Sequence, residues 1–86
     1  MRLTLLTRSY CHLCDEMLDA LAPLAGTTPV DVLDVDAPEH AALEAAFGDA
    51  VPVLFAGAPA AGNELCRYRL DVAGVAAALA GGRGIR

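Results

Sequence analysis

Apolar residues recur along this chain with two different periods, and the alternation between them lays out a fold. Leu3, Leu5 and Leu6 in "RLTLLT" predict a first strand, buried on at least one face. Leu13, Met17, Leu21 and Leu24 then recur at spacings of three and four, the stripe of an amphipathic helix that ends near Gly26. "TTP" breaks the chain, and "VDVLDV", Val30 to Val35, rich in β-branched residues, predicts a second strand. In "DAPE", Asp36 stands as a helix cap, Pro38 in the first turn and Glu39 as the other half of a capping box. The helix so predicted turns Leu43, Ala46 and Phe47 inward and stops at Gly48. In "VPVLFA", Pro52 has no amide donor, so it belongs at the first residue or the edge of a strand. "GAPAAG" is a turn and "NELCRY" a paired strand. Asp71 is placed to cap a third helix with Val72, Val75, Ala76 and Leu79 on one face, before "GGRGIR" frays.

The expected order is β-α-β-α-β-β-α, with no internal repeat or linker. Residues 1–80 are therefore expected to form one α/β domain and 81–86 a flexible tail, with a parallel, right-handed crossover joining the first two strands. A chain of 86 residues buries only about 60 to 65 per cent of its unfolded surface, so any site must be shallow.

Charge narrows the partners. Six basic residues, all arginine, face eleven acidic ones, and the net charge of −5 repels phosphate backbones and anionic lipid alike. No nucleic acid and no membrane are expected. The apolar run Leu3–Leu6 is too short for a signal-peptide core, and nothing approaches the roughly 20 residues of a spanning helix, so a cytoplasmic monomer is the expectation.

Three cysteines, an odd number, do not make a secreted disulfide framework. The pair Cys11 and Cys14 stands where a strand gives way to a helix, a spacing that serves redox chemistry or metal. Residues i and i+3 in a first helical turn lie close enough to close a reversible disulfide. The orphan N–H groups and partial positive charge of a helix N-terminus lower a thiol's pKa from about 8.5, which favours Cys11 over Cys14 as the nucleophile. Arg8 and His12 push in the same direction, and Asp15 opposes them. Cys66, alone in a predicted strand, reads as core filler.

A metal reading would combine the pair with His12, His40 or Cys66, but structural zinc wants two paired sets and only one is present, so no metal site is expected. His40 is better explained by an exposed helix face. A thiolate-only copper site, or a cluster shared between two chains, stays open. Small metal chaperones also place two cysteines between a first strand and a first helix. In them a methionine stands where Ser9 is, and they end on a strand where this chain ends on a helix.

With "TRSYCHLC" after the first strand and "AVPVLF" before the third, the chain resembles the glutaredoxin branch of the thioredoxin superfamily. The likeness is greatest to small bacterial glutaredoxin-like proteins carrying "CHLCDEM". The resemblance implies a thioredoxin-like three-layer α/β/α fold with a four-stranded mixed sheet. It also implies Cys11 as nucleophile, Cys14 as resolving thiol and Pro52 as a cis-proline, with the backbone of Val51 offered to an extended peptide such as glutathione. Arg8, Tyr10, His12 and Arg67 complete the expected substrate-binding set. Three positions depart from the family pattern: Ala50 replaces a threonine, and Arg67 and Tyr68 stand at two glycines before Asp71. Side chains then occupy the place where backbone would approach glutathione, and Arg8 and Arg67 are the candidates to hold its carboxylates.

The expected function is a thiol-disulfide oxidoreductase acting on protein or glutathione mixed disulfides, with no tightly bound cofactor and glutathione as a candidate reductant. The alternative is a thioredoxin-fold binding module that holds a metal or Fe-S cluster through the pair, or that has lost catalysis.

Overall fold

The computed structural model describes residues 1–81, which form strands β1 (Leu3–Thr7), β2 (Val30–Asp34), β3 (Val53–Ala56) and β4 (Glu64–Arg67) and helices α1 (His12–Ala25), α2 (Ala41–Phe47) and α3 (Val72–Gly81). The order β-α-β-α-β-β-α is the expected one. The four strands make a single mixed sheet in the order β2-β1-β3-β4. β1 runs parallel to β2, with Leu3 opposite Val30 and Thr7 opposite Asp34. β3 runs antiparallel to both β1 and β4.

Alternation along the central strands divides the core between the two faces of the sheet. Leu3, Leu5 and Leu54 point to one face, where they pack against Met17, Leu21 and Ala25 of α1 and Val75 of α3. Leu6, Val53 and Phe55 point to the other, with Val35 and Ala50, and are covered by Leu43 and Phe47 of α2. The result is three layers, with two helices on one face and one on the other. Thr4, buried on β1, is satisfied by donating its hydroxyl to the Gly57 carbonyl at 2.7 Å.

Three local expectations fail for identifiable reasons. The capping box does not form: Asp34 rather than Asp36 organises the turn, its carboxylate accepting the Asp36 N–H at 2.8 Å and its carbonyl the Ala37 N–H at 3.1 Å. A single 3-10 turn, Pro38–His40, intervenes before α2. His40 is thereby half-buried, its Nδ1–H donating to the Asp34 carbonyl at 2.9 Å, instead of lying on an exposed helix face. The inward faces are also narrower than the pattern suggested. Leu13, Ala46 and Val72 are exposed; the buried stripe of α1 runs through Cys14, Met17, Leu21 and Ala25, which leaves Leu13 at its edge. Asp71 does cap α3, its Oδ1 accepting the Gly74 N–H at 3.1 Å.

Gly81 closes α3, so it is helical rather than tail. The rest of the expected tail, residues 82–86, lies outside the described residues. Among the described residues no helix is long and apolar enough to cross a membrane.

Candidate active site

Strand directions bring the chemistry to one end of the sheet. Leu6 near the end of β1 pairs with Val53 at the start of β3, and Val53 pairs with Arg67 at the end of β4. The segments just beyond these residues therefore emerge side by side: Arg8 to Cys11 after β1, Pro52 before β3 and Tyr68 after β4. Tyr68 seals the junction, its N–H donating to the Pro52 carbonyl at 2.9 Å. The Val51–Pro52 peptide bond is cis, as the resemblance implied.

Cys11 is the N-cap of α1, with extended backbone at φ −112° and ψ 106°. Its sulfur accepts the Cys14 N–H at 3.1 Å, so an orphan donor of the helix start points at the nucleophile candidate. The Cys11 and Cys14 sulfurs lie at bonding distance, with Cα atoms 5.2 Å apart, inside the span a disulfide bridges. Their surroundings differ. Cys11 is half-buried at the mouth of a recess with Tyr10, His12 and Asp15, whereas Cys14 is 2% exposed beneath it. One sulfur is accessible and the other is sheltered, an asymmetry the spacing alone did not reveal. Among the described residues no three His, Cys, Asp or Glu side chains gather as a metal site would require.

The remaining residues of the expected set divide into two groups. Tyr10 and His12 flank Cys11 in solvent, and Tyr10 sits at φ 60°, in the left-handed region. Val51 and Pro52 lie at the mouth of β3. Both arginines, in contrast, already hold carboxylates of this chain. Arg8 Nη2 reaches Glu44 at 3.2 Å and Asp36 at 3.8 Å, and its buried Nε has no partner among the described residues. Arg67 grips Glu64 with two bonds, Nε to Oε2 at 2.6 Å and Nη2 to Oε1 at 2.7 Å, which holds the Glu64 carboxyl below its usual range. A register shift in the β3–β4 ladder makes this pair: Arg67 stands opposite Val53 and Glu64 opposite Phe55, so the two share a face.

Cys66 packs partly buried against the α1–α3 cluster, and that burial pushes its thiol up from the ordinary range. It is kept protonated at neutral pH and stands apart from the pair, as core filler would.

With this geometry in place, the sequence match is decisive: the family model of the glutaredoxin-like domain (DUF836) covers residues 2–80. The chain belongs to that family. This glutaredoxin-like chain also matches a solved structure, the X-ray structure of Northeast Structural Genomics target protein XcR50 from X. campestris. The two are 36% identical, the match covers 91% of this chain and 95% of that one, and the TM-score is 0.68. No curated protein matches. The thioredoxin-like fold is thus supported by element order, by family and by a structural neighbour.

Tyr68 is the residue of this glutaredoxin-like site that sequence reasoning undervalued. Standing where the family pattern has glycine, it keeps a glycine-like backbone at φ 68° while carrying a ring that lines a groove with Leu13. The signal was present in the replaced glycine; that the backbone conformation would survive the replacement was not.

Proposed function

We propose that this glutaredoxin-like chain is a thiol-disulfide oxidoreductase that reduces protein or glutathione mixed disulfides through Cys11 and Cys14. The observation that carries this reading is the asymmetric pair: an accessible sulfur at a helix N-cap, with a sheltered sulfur at bonding distance behind it.

Cys11 as thiolate attacks one sulfur of the substrate disulfide. A Cys11–substrate disulfide forms as the substrate's own S–S bond breaks, and the leaving sulfur departs as a thiolate that takes a proton from solvent. Cys14, deprotonated in turn, attacks the Cys11 sulfur, releases the second substrate thiol and leaves the Cys11–Cys14 disulfide. Two electrons have passed to the substrate, and an external thiol such as glutathione returns them. The Cys14 N–H steadies negative charge on the Cys11 sulfur, and the burial of Cys14 restricts it to the intramolecular step. Tyr10 and His12 would flank the substrate and the backbone of Val51 would pair with it, positioned by the buried cis Pro52. A monomer in the cytoplasm, where thiols are kept reduced, is the setting this chemistry suits.

Trapping tests the assignment of roles. Cys14→Ser, mixed with a peptide disulfide, is expected to accumulate a covalent adduct of protein plus one peptide on Cys11, seen by intact mass and located by digestion. Adduct on Cys66, or none at all, contradicts the scheme.

A further inference from the structure

The substrate class can be read from what surrounds Cys11, and the inference rests on the oxidoreductase reading above. We infer that the site selects disulfides carried on a polypeptide segment with an apolar residue beside its cysteine and basic residues around it, in preference to the anionic tripeptide glutathione.

Apolar surface is the first observation. Tyr10 is 104% exposed and Leu13 and Tyr68 are 41% and 47% exposed, all three at the end of the sheet that carries Cys11. Leu13 and Tyr68 wall a groove of about 280 Å³, floored by Met17 and Leu70. That lies just under the roughly 300 to 1,000 Å³ of small-molecule sites, a volume suited to one or two side chains of a longer ligand. Tyr68 is fixed at both ends: its N–H donates to the Pro52 carbonyl at 2.9 Å and its hydroxyl to the Asp49 carbonyl at 3.4 Å, with the backbone at φ 68°, so its ring is a standing wall of the groove.

Charge is the second observation and it is independent of the first. A ligand with two carboxylates needs free guanidinium or ammonium groups, yet Arg8 is held by Glu44 and Asp36 and Arg67 by Glu64. The recess beside Cys11 is lined by Asp15 and the imidazole of His12, and the groove by Glu16 and Arg69, so two carboxylates face one guanidinium and one histidine. With a net charge of −5 over the whole chain, the field at this end repels an anionic tripeptide and attracts a basic segment. Both observations favour the same partner: apolar contact in the groove and cationic residues on its rim.

The test compares three disulfides with the reduced full chain: glutathione disulfide, the symmetrical disulfide of Lys-Leu-Cys-Lys, and that of Glu-Leu-Cys-Glu, which keeps the leucine and reverses the charge. Each rate is divided by the rate of the same disulfide with free dithiothreitol, which removes differences in the leaving thiols. The cationic peptide is expected to react at least about tenfold faster than either of the others at low salt, within the range electrostatic steering supplies. The advantage should contract as the Debye length falls from about 30 Å at 0.01 M salt to about 3 Å at 1 M. Glu16→Lys, an exposed substitution on the rim of the groove, should shrink the preference in the same way. Glutathione disulfide reacting as fast as the cationic peptide, or a preference indifferent to salt and to Glu16→Lys, overturns the inference and leaves the oxidoreductase reading standing. Failure of all three disulfides to react overturns both.

Discussion

Replacing Cys11 by serine is expected to lower disulfide reduction by at least about 10³-fold, because a serine hydroxyl at neutral pH supplies no comparable nucleophile. The substitution suits the fold. Serine is a good N-cap, so its oxygen can accept the Cys14 N–H that the Cys11 sulfur accepts now, and stability should change by no more than about 1 kcal/mol. A loss of activity without a loss of structure would therefore be chemical. No other thiol can substitute: Cys14 is 2% exposed, and burial keeps the Cys66 thiol protonated. The measurement pairs initial rates on a peptide disulfide with urea denaturation of both proteins. Retention of more than a tenth of the activity would remove Cys11 from the role.

Phe55→Ala is expected to have the largest effect on stability, about 3 to 5 kcal/mol. Phe55 is fully buried at the centre of the α2-side cluster and meets Phe47 edge to face, with ring centroids 5.1 Å apart. Its removal leaves a cavity between β3 and the only helix covering that face among the described residues, and deprives α2 of its aromatic partner. A domain of this size is stable by about 4 to 13 kcal/mol in all, so the variant should lose a large fraction of its stability and unfold at a clearly lower urea concentration and temperature. Urea or thermal unfolding by circular dichroism reads the change. A loss below about 1 kcal/mol would mean that α2 is not held by this cluster.

Most of the architecture was legible because the period of the apolar pattern changes at each element boundary. Leu3, Leu5 and Leu6 specify a strand, and Met17, Leu21 and Leu24 specify a helix, whatever the neighbours do. What failed depended on tertiary choice. Asp34 and Asp36 both offered carboxylates to the turn before α2, and only the path of the chain off β2 decided that Asp34 would take it. The arginines failed to be legible for a similar reason. Arg8 and Glu44 are far apart in sequence, and the pairing of Arg67 with Glu64 needs a register shift that no strand pattern announces. At the site, the cysteine spacing and the proline were readable, whereas the burial that separates an open sulfur from a sheltered one emerges only when α1 is laid on the sheet.

The central claim is that Cys11 and Cys14 cycle as a two-electron pair, and a redox titration tests it most directly. The purified protein is equilibrated in glutathione buffers of stepped poise and alkylated, and each cysteine's modification is read by peptide mass. The account predicts that Cys11 and Cys14 lose and regain alkylation together, with a midpoint between about −180 and −290 mV, near those of related oxidoreductases, while Cys66 follows neither. If no Cys11–Cys14 disulfide forms at any poise, the pair is not a redox couple and the proposed chemistry is wrong.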